Sequence, residues 1–225
     1  MSLTLLGFLD LIGTIAFAIA GAIVAIRKKM DLFGINVLAV CTATGGGMIR
    51  DIIIGSTPPR LFCDPFYVAA AAVTASLVFL LLYFGNLTKA RSVLLEDRAE
   101  ASCRLEALYD RVLFWFDTLG LAAFTIDGVT IGIQAGYRDN TFLIIFLGMM
   151  TGVGGGALRD VLAGRMPDIL HKHIYALSAI AGGTVTVLIL QAGVHLKTAM
   201  AAGFSTVILL RCMAVQFGWN LPKVT

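Results

Sequence analysis

The sequence predicts an all-α integral membrane protein: seven transmembrane helices forming an inverted 3+3 repeat plus one extra helix, with helices 2 and 5 broken at Gly-Gly-Gly. Three observations predict it. Hydrophobic residues make up 58% of the 225 and charged residues 14%, with a mean hydropathy of +0.89, values that no soluble globular domain of this length shows. The apolar residues gather into runs close to the roughly 20 residues a bilayer requires, and a chain this long has room for six or seven of them. Finally, the segment Thr44-Gly45-Gly46-Gly47-Met48-Ile49-Arg50-Asp51 returns as Val153-Gly154-Gly155-Gly156-Ala157-Leu158-Arg159-Asp160. Thr42, Gly55, Pro58 and Leu61 are answered at the same spacing by Thr151, Gly164, Pro167 and Leu170, so the chain carries an internal duplication.

The first span runs from about Leu3 to Ile26, apolar except for Asp10, and stops at Arg27-Lys28-Lys29. No basic stretch precedes it, so it is expected to be retained rather than cleaved. The second, about Leu32 to Ile54, holds the first glycine triplet; a loop with Pro58, Pro59, Arg60 and Asp64 leads to an uncharged third span, about Pro65 to Leu87. Between Lys89 and Arg111 five basic and five acidic residues are mixed, which reads as a polar, partly helical linker. The fourth span, about Val112 to Gly136, contains Asp117 and Asp127, and the fifth, about Asn140 to Ala163, contains the second triplet. The sixth covers about Ile174 to Val194, where Gly182-Gly183 invites close approach of a neighbour. The seventh, about Thr198 to Trp219, has no counterpart in the duplication and reads as an added packing or assembly element. The resulting units are residues 1–88 for the first three-helix repeat, 89–111 for a cytoplasmic linker, 112–195 for the inverted second repeat, and 196–225 for the seventh helix and tail.

Lys and Arg are distributed thirteen to four between the two sides of this arrangement, which predicts the N-terminus outside and the C-terminus in the cytoplasm. Because a unit of three spans reverses direction on repetition, the two copies are inverted. The register matches Asp10 with Asp117, Phe17 with Phe124 and Gly21 with Gly128. Inverted repeats with interrupted helices at the midplane characterise transport proteins.

A glycine costs roughly 1 kcal/mol against alanine inside a helix, so three in succession are expected to break it and to leave backbone carbonyls for water or an ion. Half-helix ends would also present N–H groups, which leaves the sign of the permeant species open. The competing reading is that Gly45, Gly46, Gly47, Gly154, Gly155 and Gly156 permit a tight helix crossing. On the transport reading they are pore or hinge residues, and leucine at Gly46 or Gly155 suppresses flux while assembly persists. The charges within spans add a second set of candidates for the ion pathway or its gating: Asp10, Arg50, Asp51, Asp117, Asp127, Arg159 and Asp160. The repeat predicts pairing of Asp10 with Arg50 and of Asp117 with Arg159, giving charged vestibules at opposite faces, or else ties between helix ends. Asp51 and Asp160 are expected at the membrane edges, hydrated or near basic partners, rather than bound directly to an ion. Asp127, whose counterpart is Ala20, breaks the symmetry and requires a partner, a proton or water.

Cys41, Cys63, Cys103 and Cys212, and likewise His171, His173 and His195, lack the spacing of metal ligands. No nucleophile with a base, phosphate loop or dinucleotide fingerprint is present, which argues against an enzyme, a cofactor or a nucleic-acid partner.

With its doubled Gly-Gly-Gly-x-x-Arg-Asp segments and three-plus-three-plus-one count, the chain resembles the prokaryotic members of the trimeric intracellular cation (TRIC) channel family, sequences also grouped under a glycine-transporter label. The resemblance spans nearly the whole chain. It implies a homotrimer in the lipid of a prokaryotic plasma membrane, with one pore per protomer lined by spans 1, 2, 4 and 5, kinked at Gly45–Gly47 and Gly154–Gly156. It further implies conduction of monovalent cations, chiefly K+. A secondary transporter of a small amino acid such as glycine is the alternative, and a non-transporting assembly factor a third reading.

Overall fold

The computed structural model describes residues 5–90, 98–171 and 174–219. Helices joined by short turns and loops make up these residues: α1 (Leu5–Arg27), α2 (Leu32–Ile53), α3 (Arg60–Cys63), α4 (Phe66–Ala90), α5 (Arg98–Gln134), α6 (Thr141–Leu162), α7 (Asp168–His171), α8 (Tyr175–Gln191) and α9 (Leu196–Gln216). Six described helices are long and apolar enough to cross a membrane, namely α1, α2, α4, α5, α6 and α9; α8 is an apolar helix of 17 residues. The seven expected spans are therefore the long helices and α8, while the four-residue α3 and α7 are additions the sequence does not foretell. Arg91, Glu96 and Asp97 of the expected linker, and Lys172, His173 and Lys223, lie outside the described residues.

One boundary differs in kind. The stretch expected as linker up to Arg111 belongs in its C-terminal part to α5, which runs for 37 residues, about 55 Å at 1.5 Å per residue. That is well beyond the roughly 30 Å of a hydrocarbon core. Its mixed charges from Arg98 on belong to the polar first turns of a helix whose apolar part continues without a stop. There, exposed Asp110 accepts an ion pair from Arg27 at the end of α1.

Helices α2 and α6 start and stop alike. The Asp31 carboxylate accepts the Gly34 N–H at 2.7 Å, and the Asn140 side chain accepts the Leu143 N–H at 3.0 Å, capping the free amides of each first turn. Both end at a glycine with positive φ, Gly55 at 74° and Gly164 at 63°, a conformation that suits only glycine without strain.

The expected breaks at Gly45–Gly47 and Gly154–Gly156 are corrected by the structure: α2 and α6 are continuous through both triplets. Helical hydrogen bonding persists because in hydrocarbon a broken bond has no water to replace it. What the glycines supply is proximity. A Cβ on Gly46 would lie 2.0 Å from the carbonyl oxygen of Thr151, and one on Gly155 would lie 2.0 Å from that of Thr42. The two helices thus cross backbone against backbone, each glycine facing the threonine four residues before its counterpart. Leucine at Gly46 or Gly155 therefore forces α2 and α6 apart, and the expectation that assembly would survive it is withdrawn.

Matching contacts surround this crossing. The Gly13 backbone lies against the Phe124 ring and the Gly120 backbone against Phe17, and the two rings meet edge to face at 5.2 Å. Gly21 abuts Thr42 of α2 as Gly128 abuts Thr151 of α6. Outside this four-helix centre, α4 packs on α1 and α2, α8 packs on α5 and α6, and α9 lies against α8 and α5. Gly182 accommodates α9 as its sequence suggests: its Cβ would lie 2.9 Å from the Gly203 carbonyl and 2.3 Å from the Val207 side chain.

The middle and last glycines of the first triplet should respond oppositely to alanine. Gly46→Ala inserts a methyl into backbone and is expected to cost about 1–3 kcal/mol, whereas at Gly47 the nearest group is the Arg50 Nη2 at 3.6 Å, so Gly47→Ala is neutral or stabilising by up to about 1 kcal/mol. Thermal unfolding of the two purified variants in detergent measures the difference.

Candidate functional site

Two clusters of buried charge flank the glycine crossing, each built on the Arg-Asp pair that follows its triplet after two intervening residues. Apolar helices hold these groups away from lipid, and a charge so placed demands a partner of opposite sign. In the first cluster Arg50 donates from Nε and Nη2 to Oδ1 of Asp51 at 2.9 and 2.8 Å, and from Nη1 to Oδ2 of Asp127 at 2.6 Å. The other oxygen of Asp51 accepts the backbone N–H of Arg60 at 2.9 Å. One carboxylate thereby ties the end of α2 to the start of α3.

The second cluster repeats this design with different partners. Arg159 donates from Nε to Asp160 at 2.9 Å and from Nη1 to Asp117 at 2.8 Å. Asp160 takes two further bonds from Arg165 and accepts the Asp168 N–H at 2.9 Å through Oδ2, fixing the start of α7. Asp117 also receives Arg211 of α9 at 3.3 Å. The Arg211 guanidinium lies between aromatic faces, 4.5 Å from the Tyr175 ring centre and 5.2 Å from that of Phe114, positions that favour a cation.

Of the residues singled out from the sequence, Asp117 and Arg159 pair as expected. The Arg50 partner differs: among the described residues its ion pairs go to Asp51 and Asp127, not to Asp10. Asp127 lies on α5, which packs directly on α1 and α6, and its off-repeat position brings a carboxylate to Arg50 that the duplication register assigns to Asp10. Asp51 and Asp160 have basic partners, as expected, in Arg50 and in Arg159 and Arg165, but they are buried rather than hydrated, 1% and 0% exposed. Arg211 is the functional-site residue that sequence reasoning misses, since it counts there only as a cytoplasmic-side charge. Its signal is a single arginine within the apolar run of the last span.

The first cluster opens onto a cavity of about 800 Å³. Asp10, Thr14, Thr44, Asp127 and Tyr67 line it, with Arg60 and Asp64 also in its wall; Phe124 and Thr151 reach it from the glycine crossing. Among the described residues no three His, Cys, Asp or Glu side chains gather to hold a metal ion.

This combination defines a polytopic helical membrane protein with paired buried charge clusters and a largely apolar cavity, with charged groups in its wall, leading toward the middle of the bundle. The family model described as "Glycine transporter" matches residues 7–83 and 114–191, and the chain belongs to this family. The Vibrio cholerae UPF0126 membrane protein is 35% identical over 97% of this chain and 82% of its own. The Escherichia coli UPF0126 inner membrane protein YadS is likewise 35% identical, covering 96% and 94%. Among solved structures, the TRIC trimeric intracellular cation channel orthologue from Rhodobacter sphaeroides superposes with a TM-score of 0.80 at 31% identity, covering 96% of this chain and all of that one. A prokaryotic TRIC channel crystallised in 0.5 M KCl gives 0.79 at 27% identity, covering 96% and 98%. The chain is thus homologous in sequence and structure to the TRIC cation channels.

Removing Asp117 leaves Arg159 and Arg211 short of a buried counter-charge, so Asp117→Ala is expected to destabilise by about 3–5 kcal/mol. Asp110→Ala removes an exposed partner of Arg27 and should cost no more than about 1 kcal/mol. Comparing the two unfolding midpoints separates buried from surface pairing.

Proposed function

We propose that this protein is a K+-permeable monovalent cation channel, a homotrimer with one pore in each protomer and no catalytic activity. The path runs along α1, α2, α5 and α6. The charged cavity is its vestibule at the Arg50 end, the Asp117–Arg159 cluster guards the opposite end, and Phe17, Phe124 and the glycine crossing form the narrow middle. The observation that carries the reading is the cavity itself: in a bundle homologous to cation channels, water-sized space reaches charged groups within the span of the helices.

An inverted 3+3 repeat, as the sequence duplication suggests, fits the same reading, since two halves of opposite orientation would give a path whose ends are built from equivalent residues. The family model's two matched segments, one in each half, agree with it, as do the reciprocal Gly46–Thr151 and Gly155–Thr42 contacts. The Lys and Arg asymmetry favours an outer N-terminus and a cytoplasmic C-terminus in a prokaryotic inner membrane. Discounting buried Arg50, Arg159 and Arg211 leaves its sign unchanged. On this placement the cavity faces outward.

The family description favours a second reading, a carrier of glycine. A zwitterion needs a free cation for its carboxylate as well as an acceptor for its ammonium. Arg50 is engaged by Asp51 and Asp127, leaving Arg60 as the guanidinium in the cavity wall without a carboxylate ion pair among the described residues.

Purified protein in planar bilayers under a KCl gradient should give unitary currents that reverse near the K+ equilibrium potential, and Phe124→Ala should raise their amplitude by widening the middle. Saturable glycine exchange in liposomes, with no unitary current in the bilayer, would replace the channel by the carrier.

A further inference from the structure

We infer that Tyr175 is a plug seated in the path beside Gly156, and that Tyr67 is the matching plug at the other end, held out of its seat. This rests on the channel reading for its meaning in a path, but the seat itself is argued from contacts. The two tyrosines are equivalent. Asp51 accepts the backbone N–H of Arg60 and Asp160 that of Asp168; each of these follows a proline, Pro59 or Pro167, and they stand 108 residues apart, one less than the glycine triplets. Tyr67 near the start of α4 and Tyr175 at the start of α8 keep that interval, so the third span of each half begins on a phenol ring.

Their surroundings differ. A Cβ on Gly156 would lie 3.1 Å from Tyr175 Oη, 3.7 Å from Asp117 Oδ1 and 3.8 Å from Arg159 Nη2. At Gly47, the equivalent glycine, it would lie 3.6 Å from Arg50 Nη2, with no side chain of another helix within 4 Å. The arginines thus hold the same post in both halves, and a tyrosine is what the first half lacks there. Tyr175 is 3% exposed, whereas Tyr67 is half-buried in the wall of the cavity that Gly47 also borders. The room that one ring fills at the second cluster is open space at the first.

Helix α9 supplies the reason. The Arg211 guanidinium lies 4.5 Å from the Tyr175 ring centre and is fastened to Asp117 at 3.3 Å, which pins the ring by its face. The hydroxyl contributes less, since Tyr175 Oη completes no hydrogen bond among the described residues. The first half has no counterpart of α9, and among the described residues no guanidinium stacks on the Tyr67 ring. Opening the second end then means moving the Tyr175 ring off Gly156, to a place like the one Tyr67 occupies.

The test is the reactivity of single thiols toward a neutral, water-soluble methanethiosulfonate in detergent-purified protein, with Cys41, Cys63, Cys103 and Cys212 replaced by alanine. Gly47→Cys should react readily and Gly156→Cys at least about tenfold more slowly, because the reagent must wait for the ring to leave. Adding Tyr175→Ala should bring the second rate up to the first, Tyr175→Phe should leave it slow, and Tyr67→Ala should not alter the rate at Gly47→Cys. A Gly156→Cys thiol that reacts as fast as the other with Tyr175 in place, or that stays slow after Tyr175→Ala, overturns the plug. Should Gly156→Cys fail to fold, planar bilayers decide with both glycines native. There Tyr175→Ala should raise the fraction of time open at least about twofold, as loss of one cation–aromatic contact requires, and an equal effect of Tyr67→Ala overturns the assignment. The two levels separate: the expected thiol pattern without unitary currents leaves the plug and removes the channel, whereas currents indifferent to Tyr175→Ala remove the plug and leave the channel.

Discussion

The backbone contact between α2 and α6 at Gly46 and Gly155 is the constraint on which the rest of the molecule depends. Two helices that meet carbonyl to Cα carry the residues just beyond each triplet to opposite ends of one narrow centre. In both helices those residues include an Arg-Asp pair. Each arginine is thereby buried at a fixed distance from the crossing, and every carboxylate recruited to it, from α5 or from its own helix, answers that burial. The loops obey the same logic, since Asp51 and Asp160 each spend one oxygen on guanidinium and the other on the first amide of a short helix. Loss of either arginine would therefore also loosen the turn that closes its end of the bundle.

Duplication does not mean identity, and the differences lie where the chemistry does. At one end Asp117 is bridged by Arg159 and by Arg211, an arginine supplied from α9, which has no counterpart in the first half. At the other end the partner comes from within the repeat, but at a position where the first copy has alanine. One cluster is closed by an extra cation, the other kept acidic by an extra anion. Helix α9 is consequently more than packing, because it completes the charge balance of the second cluster.

Much of this was legible in the residues. Composition declared the membrane class, apolar runs marked the long helices to within a few positions except at the start of α5, and the doubled motif paired Arg159 with Asp117 at the register the repeat supplies. Asp127 was recognisable as needing a partner, but not as the partner of Arg50, because a register derived from symmetry points to Asp10 and is blind to a residue that violates symmetry. The glycine triplets were misread for an energetic reason. Their helix propensity is poor, yet inside a bilayer an intact hydrogen-bonded helix outweighs it, and a missing side chain is worth more as an allowance for contact than as a point of fracture. Arg211 escaped notice since nothing in the repeat pointed to it.

The unlike ends have one more consequence. If the proposed path runs between them, an acidic mouth at one end and a balanced ion-pair cluster at the other would concentrate cations on the first side before they enter. Its current–voltage curve would therefore be bent rather than straight, passing more charge when the driving force draws ions from the acidic mouth. Rectification of this kind would be a physical trace of the difference that sets Asp127 against Ala20 in the doubled segments.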